Sequence, residues 1–178
     1  TEALDFHKKG ALDKAKKIYD KILKQDPVNT EVLKLSAIID MQLNNYSQAL
    51  YYINKSIKTN NTIAELYSIK GISLKNLKRY DEALSNFQKA IEIDRNFVDA
   101  YFNMSSVYQI KNELKKSLDN LYEVIKIDVN NYKAFSNIAF IKIKQRQYNE
   151  ALKNLEKAIN INPNYLNAYL LRGNVYKE

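Results

Sequence analysis

A small residue recurs every 34 positions along this chain, at Ala15, Ala49, Ala83, Ser117 and Ala151. A bulky residue stands three places ahead of each, at Leu12, Tyr46, Tyr80, Leu114 and Tyr148. A second small column, Ala3, Ala37, Gly71, Ser105, Ala139 and Gly173, keeps the same interval. Four places before it come the large residues Leu33, Tyr67, Tyr101, Phe135 and Tyr169. A third column is looser: Ser56, Ala90 and Ala158 are in step, but Ile22 and Val124 fill the equivalent sites. The register never slips. Such periodicity restricts the chain to like modules that each leave a face uncovered and bury it on the next.

Apolar spacing inside each module is helical. Between residues 64 and 97, Tyr67, Gly71 and Leu74 form one stripe, and after Lys78 and Arg79 a second stripe runs through Tyr80, Ala83, Leu84, Phe87, Ala90 and Ile91. Two helices of about a dozen residues joined by a short turn make an antiparallel hairpin. Only three Gly and two Pro occur, which fits helices better than sheets with their many turns. A small side chain at a helix crossing lets the axes approach, and a large one from the facing helix fills the gap. Gly71 and Gly173 are expected at such crossings, and Tyr67, Tyr80, Tyr101, Tyr108 and Tyr148 in the core. Pro27 and Pro163, at equivalent sites, are expected to stop the second helix of their units.

The unit beginning AELYSIKGISLKNLKRYDEALSNFQKAIEIDRN resembles the tetratricopeptide repeat, and the resemblance extends over the whole chain. It implies an all-α fold, a right-handed superhelical solenoid of antiparallel helix hairpins. The implied modules are a truncated repeat at 1–29, full repeats at 30–63, 64–97, 98–131 and 132–165, and a first helix at 166–178 that begins a further repeat or a cap. Departures are modest: Asn61, Arg95 and Val129 replace the usual proline, and Asp40 and Lys142 replace an aromatic. Both ends read as cuts within a longer protein.

Cysteine is absent, which rules out disulfides and thiolate metal sites. The net charge of +8 comes almost wholly from Lys, with only four Arg, in a chain also rich in Asn, Ile and Tyr. Those four residue types share A/T-rich codons, and the pattern argues against a nucleic-acid surface. No apolar run is long enough for a membrane span, and a cytoplasmic location is expected. His7, the only histidine, has no partners spaced for metal and reads as a solvated helix residue. No nucleophile has a usable base near it, so the chain is expected to be neither catalytic nor cofactor-dependent.

The resemblance implies a concave groove lined by first helices and a function as a scaffold or adaptor that holds a peptide or protein segment. The candidate peptide-binding residues are Ser68, Lys75, Phe102, Asn103, Lys133, Asn137, Phe140 and Lys144. Asn103 and Asn137 are equivalent in adjacent units, and an amide side chain can bridge the backbone of an extended peptide. A carboxylate clamp for acidic chaperone tails matches poorly, since only Asn103 and Lys133 fit its pattern. An alternative is the substrate-recruiting arm of a larger enzyme such as a glycosyltransferase, which the opening FHKKGALDKAKKIYDKILKQDP is similar to. Tyr51 and Tyr52 fall together on a second helix, so at least one is expected at the surface. Leu170 and Val175 are expected to be exposed on an unmated last helix, which would favour self-association.

Overall fold

The computed structural model describes residues 2–177, and helices are the only regular elements among them. In chain order they are α1 (Glu2–Lys8), α2 (Leu12–Gln25), α3 (Thr30–Gln42), α4 (Tyr46–Thr59), α5 (Ala64–Asn76), α6 (Tyr80–Ile93), α7 (Val98–Ile110), α8 (Leu114–Ile127), α9 (Tyr132–Lys144), α10 (Tyr148–Ile161) and α11 (Leu166–Val175). They fall into two compact units, one ending at Phe97 and the other starting at Val98. Within the first, α1 packs on α2, α3 on α4 and α5 on α6; within the second, α7 packs on α8 and α9 on α10, with α11 laid against both α9 and α10.

The turn inside each hairpin has one solution, used five times. Gly10, Asn44, Lys78, Asn112 and Arg146 all have φ between 58° and 75°. In each case the amide after the left-handed residue donates five positions back, as Arg79 does to the Leu74 carbonyl at 2.9 Å. The left-handed residue itself donates three positions back, as Lys78 does to Lys75 at 2.9 Å. This paired closure satisfies the last carbonyls of the first helix and reverses the chain. Only Gly10 takes the conformation without a steric cost.

Second helices end at Asp or Asn rather than at proline. Asp26, Asn60, Asp94, Asp128 and Asn162 are the residues that follow α2, α4, α6, α8 and α10. Four of these side chains accept a hydrogen bond from the amide two residues on: Asn60 from Thr62, Asp94 from Asn96, Asp128 from Asn130 and Asn162 from Asn164. Such a side chain offers the backbone a local alternative to continuing the helix. Pro27 and Pro163 come one residue after the stop, so helices lacking a proline end at the same place.

The two small columns face each other at the hairpin crossings. Ala15, Ala49, Ala83, Ser117 and Ala151 are fully buried. Where serine occupies both columns, the Ser117 hydroxyl donates across the crossing to the Ser105 carbonyl at 3.0 Å. One turn further along the second helix, Tyr19, Ile53, Phe87, Leu121 and Leu155 are buried as well, each 34 residues from the next. Gly71 sits at a close crossing: a Cβ there would lie 2.5 Å from the Phe87 ring. Gly173 differs from the expectation, since a Cβ there would meet nothing within 4 Å, and no second helix follows α11 among the described residues. The tyrosines Tyr67, Tyr80, Tyr101, Tyr108 and Tyr148 are half-buried rather than core. Replacing Ala83 by Leu adds three carbons to a closed crossing and is expected to cost about 1–3 kcal/mol. Exposed Ser85→Ala in the same helix will leave the melting temperature unchanged, and thermal unfolding of the two variants compares them.

Buried phenols and paired ammoniums together make stability fall in alkali. Burial and then the Glu31 charge push the Tyr19 phenol above its ordinary value, and burial and then the Asp20 charge do the same for Tyr52. Burial works against the Lys16 and Lys34 ammoniums, but hydrogen bonds and charge from Asp40, and from Glu65 and Glu31, outweigh it and raise both. All four groups hold their protons more tightly when folded. The stability they confer is therefore complete below the unfolded values and is lost as pH rises through the folded ones. Lys75, lowered by burial, opposes this trend alone. The melting temperature is expected to hold to about pH 10, the ordinary phenol value, and to fall above it. Tyr19→Phe, which removes a buried hydroxyl without a partner, should blunt that fall.

Candidate binding surface

The second unit brings six of the eight candidate residues onto two helices. Phe102 and Asn103 lie on α7; Lys133, Asn137, Phe140 and Lys144 lie on α9. Phe102 and Phe140 are half-buried and pack against one core cluster, built from Leu118, Leu121, Val124, Ala134, Ile138 and Ile141. Each therefore presents part of a ring that is fixed from beneath. The Lys144 ammonium sits 4.8 Å from the centre of the Phe140 ring, and that of Lys133 5.9 Å from the Tyr132 ring. Both lysines are exposed at their helix surface. Asn103 Nδ2 donates 2.8 Å to the Asp99 carbonyl, one turn back on its own helix, which fixes its rotamer. Asn137 is half-buried.

The other two candidates belong to α5 in the first unit, and they behave differently. Ser68 is only 3% exposed and has no surface to offer a ligand, contrary to the expectation that it lines the groove. Lys75 is half-buried, and burial pushes its ammonium below the usual lysine range. Neighbouring first-helix positions are already engaged. Lys34 of α3 pairs with Glu65 at 2.9 Å and Glu31 at 3.1 Å. The equivalent pair of positions in the second unit is Ser136 and Asn167, where Asn167 Nδ2 donates to Ser136 Oγ at 3.4 Å.

Several features were not legible beforehand. His7 is not simply solvated: its Nε2 lies 3.0 Å from Gln42 Oε1, its ring meets Tyr19 edge-on, and its Nδ1 is buried without a partner. Asp40 is fully buried on α3, with its Oδ1 held by the Lys16 ammonium of α2. On α11, Leu170 is 58% exposed as expected, but Val175 points the other way and is buried with Phe135, Ala139 and Leu155. Leu166 and Tyr169 of the same helix are exposed too, as is Tyr176 just after its end. On α4, Tyr51 is exposed and Tyr52 half-buried.

Comparison with known proteins decides the family. The tetratricopeptide repeat family model matches residues 64–97, and a second TPR repeat model matches residues 141–178. This is a tetratricopeptide-repeat protein. Among solved structures, the array is similar to MamA at 26% identity and a TM-score of 0.80, over 90% of this chain and 94% of that one. It is similar to YrrB, described as a TPR protein with an unusual peptide-binding site, at 23% identity and a TM-score of 0.74, over 96% and 88%. It also shares its fold with PilF of Pseudomonas aeruginosa, at 18% identity and a TM-score of 0.87, over 98% and 80%. No curated protein matches the sequence significantly. The repeat architecture supports a generic protein-binding scaffold. No helix among the described residues is long and apolar enough to cross a membrane.

Proposed function

We propose that this repeat array is a protein-interaction scaffold that holds a polypeptide segment across the α7–α9 surface. The observation that carries the reading is the pair of half-buried rings, Phe102 and Phe140, seated on one core cluster. Partly exposed aromatics held rigid from below lose little entropy on binding and make good anchors for apolar side chains. In this reading Asn103 and Asn137 meet the peptide backbone, and Lys133 and Lys144 its carboxylates. YrrB, whose described role includes a peptide-binding site, is similar in fold, which agrees with this use of the scaffold.

A displayed random-peptide library selected on the wild-type protein provides ligands for the test. Their affinity, measured by calorimetry, is expected to fall at least about tenfold in a Phe102→Ala/Phe140→Ala variant, the loss of roughly 1.4 kcal/mol or more that anchor residues carry. Selected peptides that bind this variant as tightly as the wild type would remove the α7–α9 surface from consideration.

A further inference from the structure

A second surface lies in the first unit, on the side made by second helices, and none of the residues of the α7–α9 site contributes to it. Two open pockets of about 340 Å³ and 490 Å³ share Pro27, Leu33 and Lys55, so they form one continuous groove between α2 and α4. Its floor is Leu33. Its apolar walls are Pro27, Val28 and Tyr51, with Val28 62% and Tyr51 50% exposed. Tyr52 closes the wall between the helices by donating its hydroxyl to Asp20 Oδ1 at 3.4 Å. Three ammoniums ring the groove, from Lys24, Lys55 and Lys58. Asp20 is the one carboxylate among the lining residues, and it already accepts that hydrogen bond.

We propose that this groove docks an acidic polypeptide segment carrying an apolar side chain. The apolar residue fits between Val28, Pro27 and Tyr51, and flanking carboxylates meet Lys24, Lys55 and Lys58. The excess of positive over negative groups at the rim sets the sign of the partner, and the apolar walls require more than a simple polyanion. Single-stranded nucleic acid is a poorer match. The exposed aromatic is Tyr51, and the Lys55 ammonium already lies 4.6 Å over its ring, where a base would stack.

Fluorescence anisotropy with a fluorescein-labelled peptide of repeated Glu-Glu-Leu triplets tests the idea on the whole protein. Saturable binding is expected, weakening as salt is added. Lys55→Glu/Lys58→Glu and Val28→Asp should each lower the affinity at least about tenfold, as loss of a matched charge or apolar anchor does. These side chains are exposed, so an unchanged melting temperature in each variant separates lost docking from lost folding. The matching Lys-Lys-Leu peptide should not bind, and Phe102→Ala/Phe140→Ala should leave the affinity unchanged. Absence of binding, insensitivity to the two groove variants, or loss in the Phe102/Phe140 variant would each overturn the proposal. Equal displacement of the peptide by a thymidine oligonucleotide would also overturn it, leaving only a surface for polyanions.

Discussion

Lys16→Leu is expected to destabilise the protein by about 3 kcal/mol, the low end of what removing one partner of a buried ion pair costs. The reason lies with the residue left behind. Asp40 is fully buried, its Oδ1 is held by Lys16 with Asn45 Nδ2 further off at 3.5 Å, and its Oδ2 has no partner at all. Without Lys16 a carboxylate would remain inside the fold with almost nothing to compensate it. The low end applies because Lys16 keeps 26% of its side chain in water. One repeat later the same two positions are Leu50 and Leu74, so the repeat accepts apolar residues at both. The double variant Lys16→Leu/Asp40→Leu should accordingly recover wild-type stability or exceed it, because replacing a buried ion pair with well-packed apolar groups is often neutral or better. Denaturant titration of both singles and the double closes the cycle. A double variant as unstable as Lys16→Leu would mean that Asp40 contributes something a leucine cannot, and the ion-pair account of this contact would be wrong.

That pair also marks the boundary of what the sequence reveals. The columns of Ala15, Ala49, Ala83, Ser117 and Ala151, and of their partners on the first helices, announce the hairpins because only small residues fit where two backbones nearly touch. Positions away from the crossings are not governed so tightly. Ser68 looks outward by helical spacing yet is buried, because α5 buries residues around most of its girth: Ala64, Leu66, Ser68, Ile69, Gly71, Ser73 and Leu74. A second helix such as α4 buries only Ala49, Ile53 and Ser56 and reads as plainly one-sided. A rule of one buried stripe per helix therefore works for the second helices and fails for the first. Val175 departs for another reason: no second helix follows α11 among the described residues, yet Val175 is covered by Phe135, Ala139 and Leu155 of the preceding hairpin. The helix-stopping column Asp26, Asn60, Asp94, Asp128 and Asn162 keeps the 34-residue interval, but Asp and Asn are so frequent elsewhere in this chain that it stands out less than the two prolines do. Neither pocket on α2 and α4 has a motif. Lys24, Lys55, Val28 and Tyr51 are brought together only by the stacking of two repeats, and each alone looks like an ordinary surface residue.

The same substitution at two equivalent glycines should have opposite signs. Gly71→Ala places a Cβ 2.5–2.9 Å from three atoms of the Phe87 ring, closer than real Cβ contacts come. Phe87 is itself fully buried, so the ring cannot swing aside, and α5 and α6 must separate instead. Overpacking of this kind costs about 1–3 kcal/mol, and the rigid ring places Gly71→Ala toward the upper end. Gly173 occupies the same column on α11, but a Cβ there meets nothing within 4 Å. Steric cost is absent, and what remains is the preference of a helix for alanine over glycine, worth up to about 1 kcal/mol in favour of the variant. Thermal unfolding should show Gly71→Ala melting lower than wild type and Gly173→Ala level with it or higher. Adding Phe87→Leu to Gly71→Ala tests the cause, because a smaller side chain opposite the new methyl should restore part of the loss, whereas the same change in the wild type should only open a cavity. If Phe87→Leu lowers stability equally in both backgrounds, the ring is not what the glycine accommodates, and the requirement for glycine at residue 71 must come from the α5 backbone rather than from the crossing.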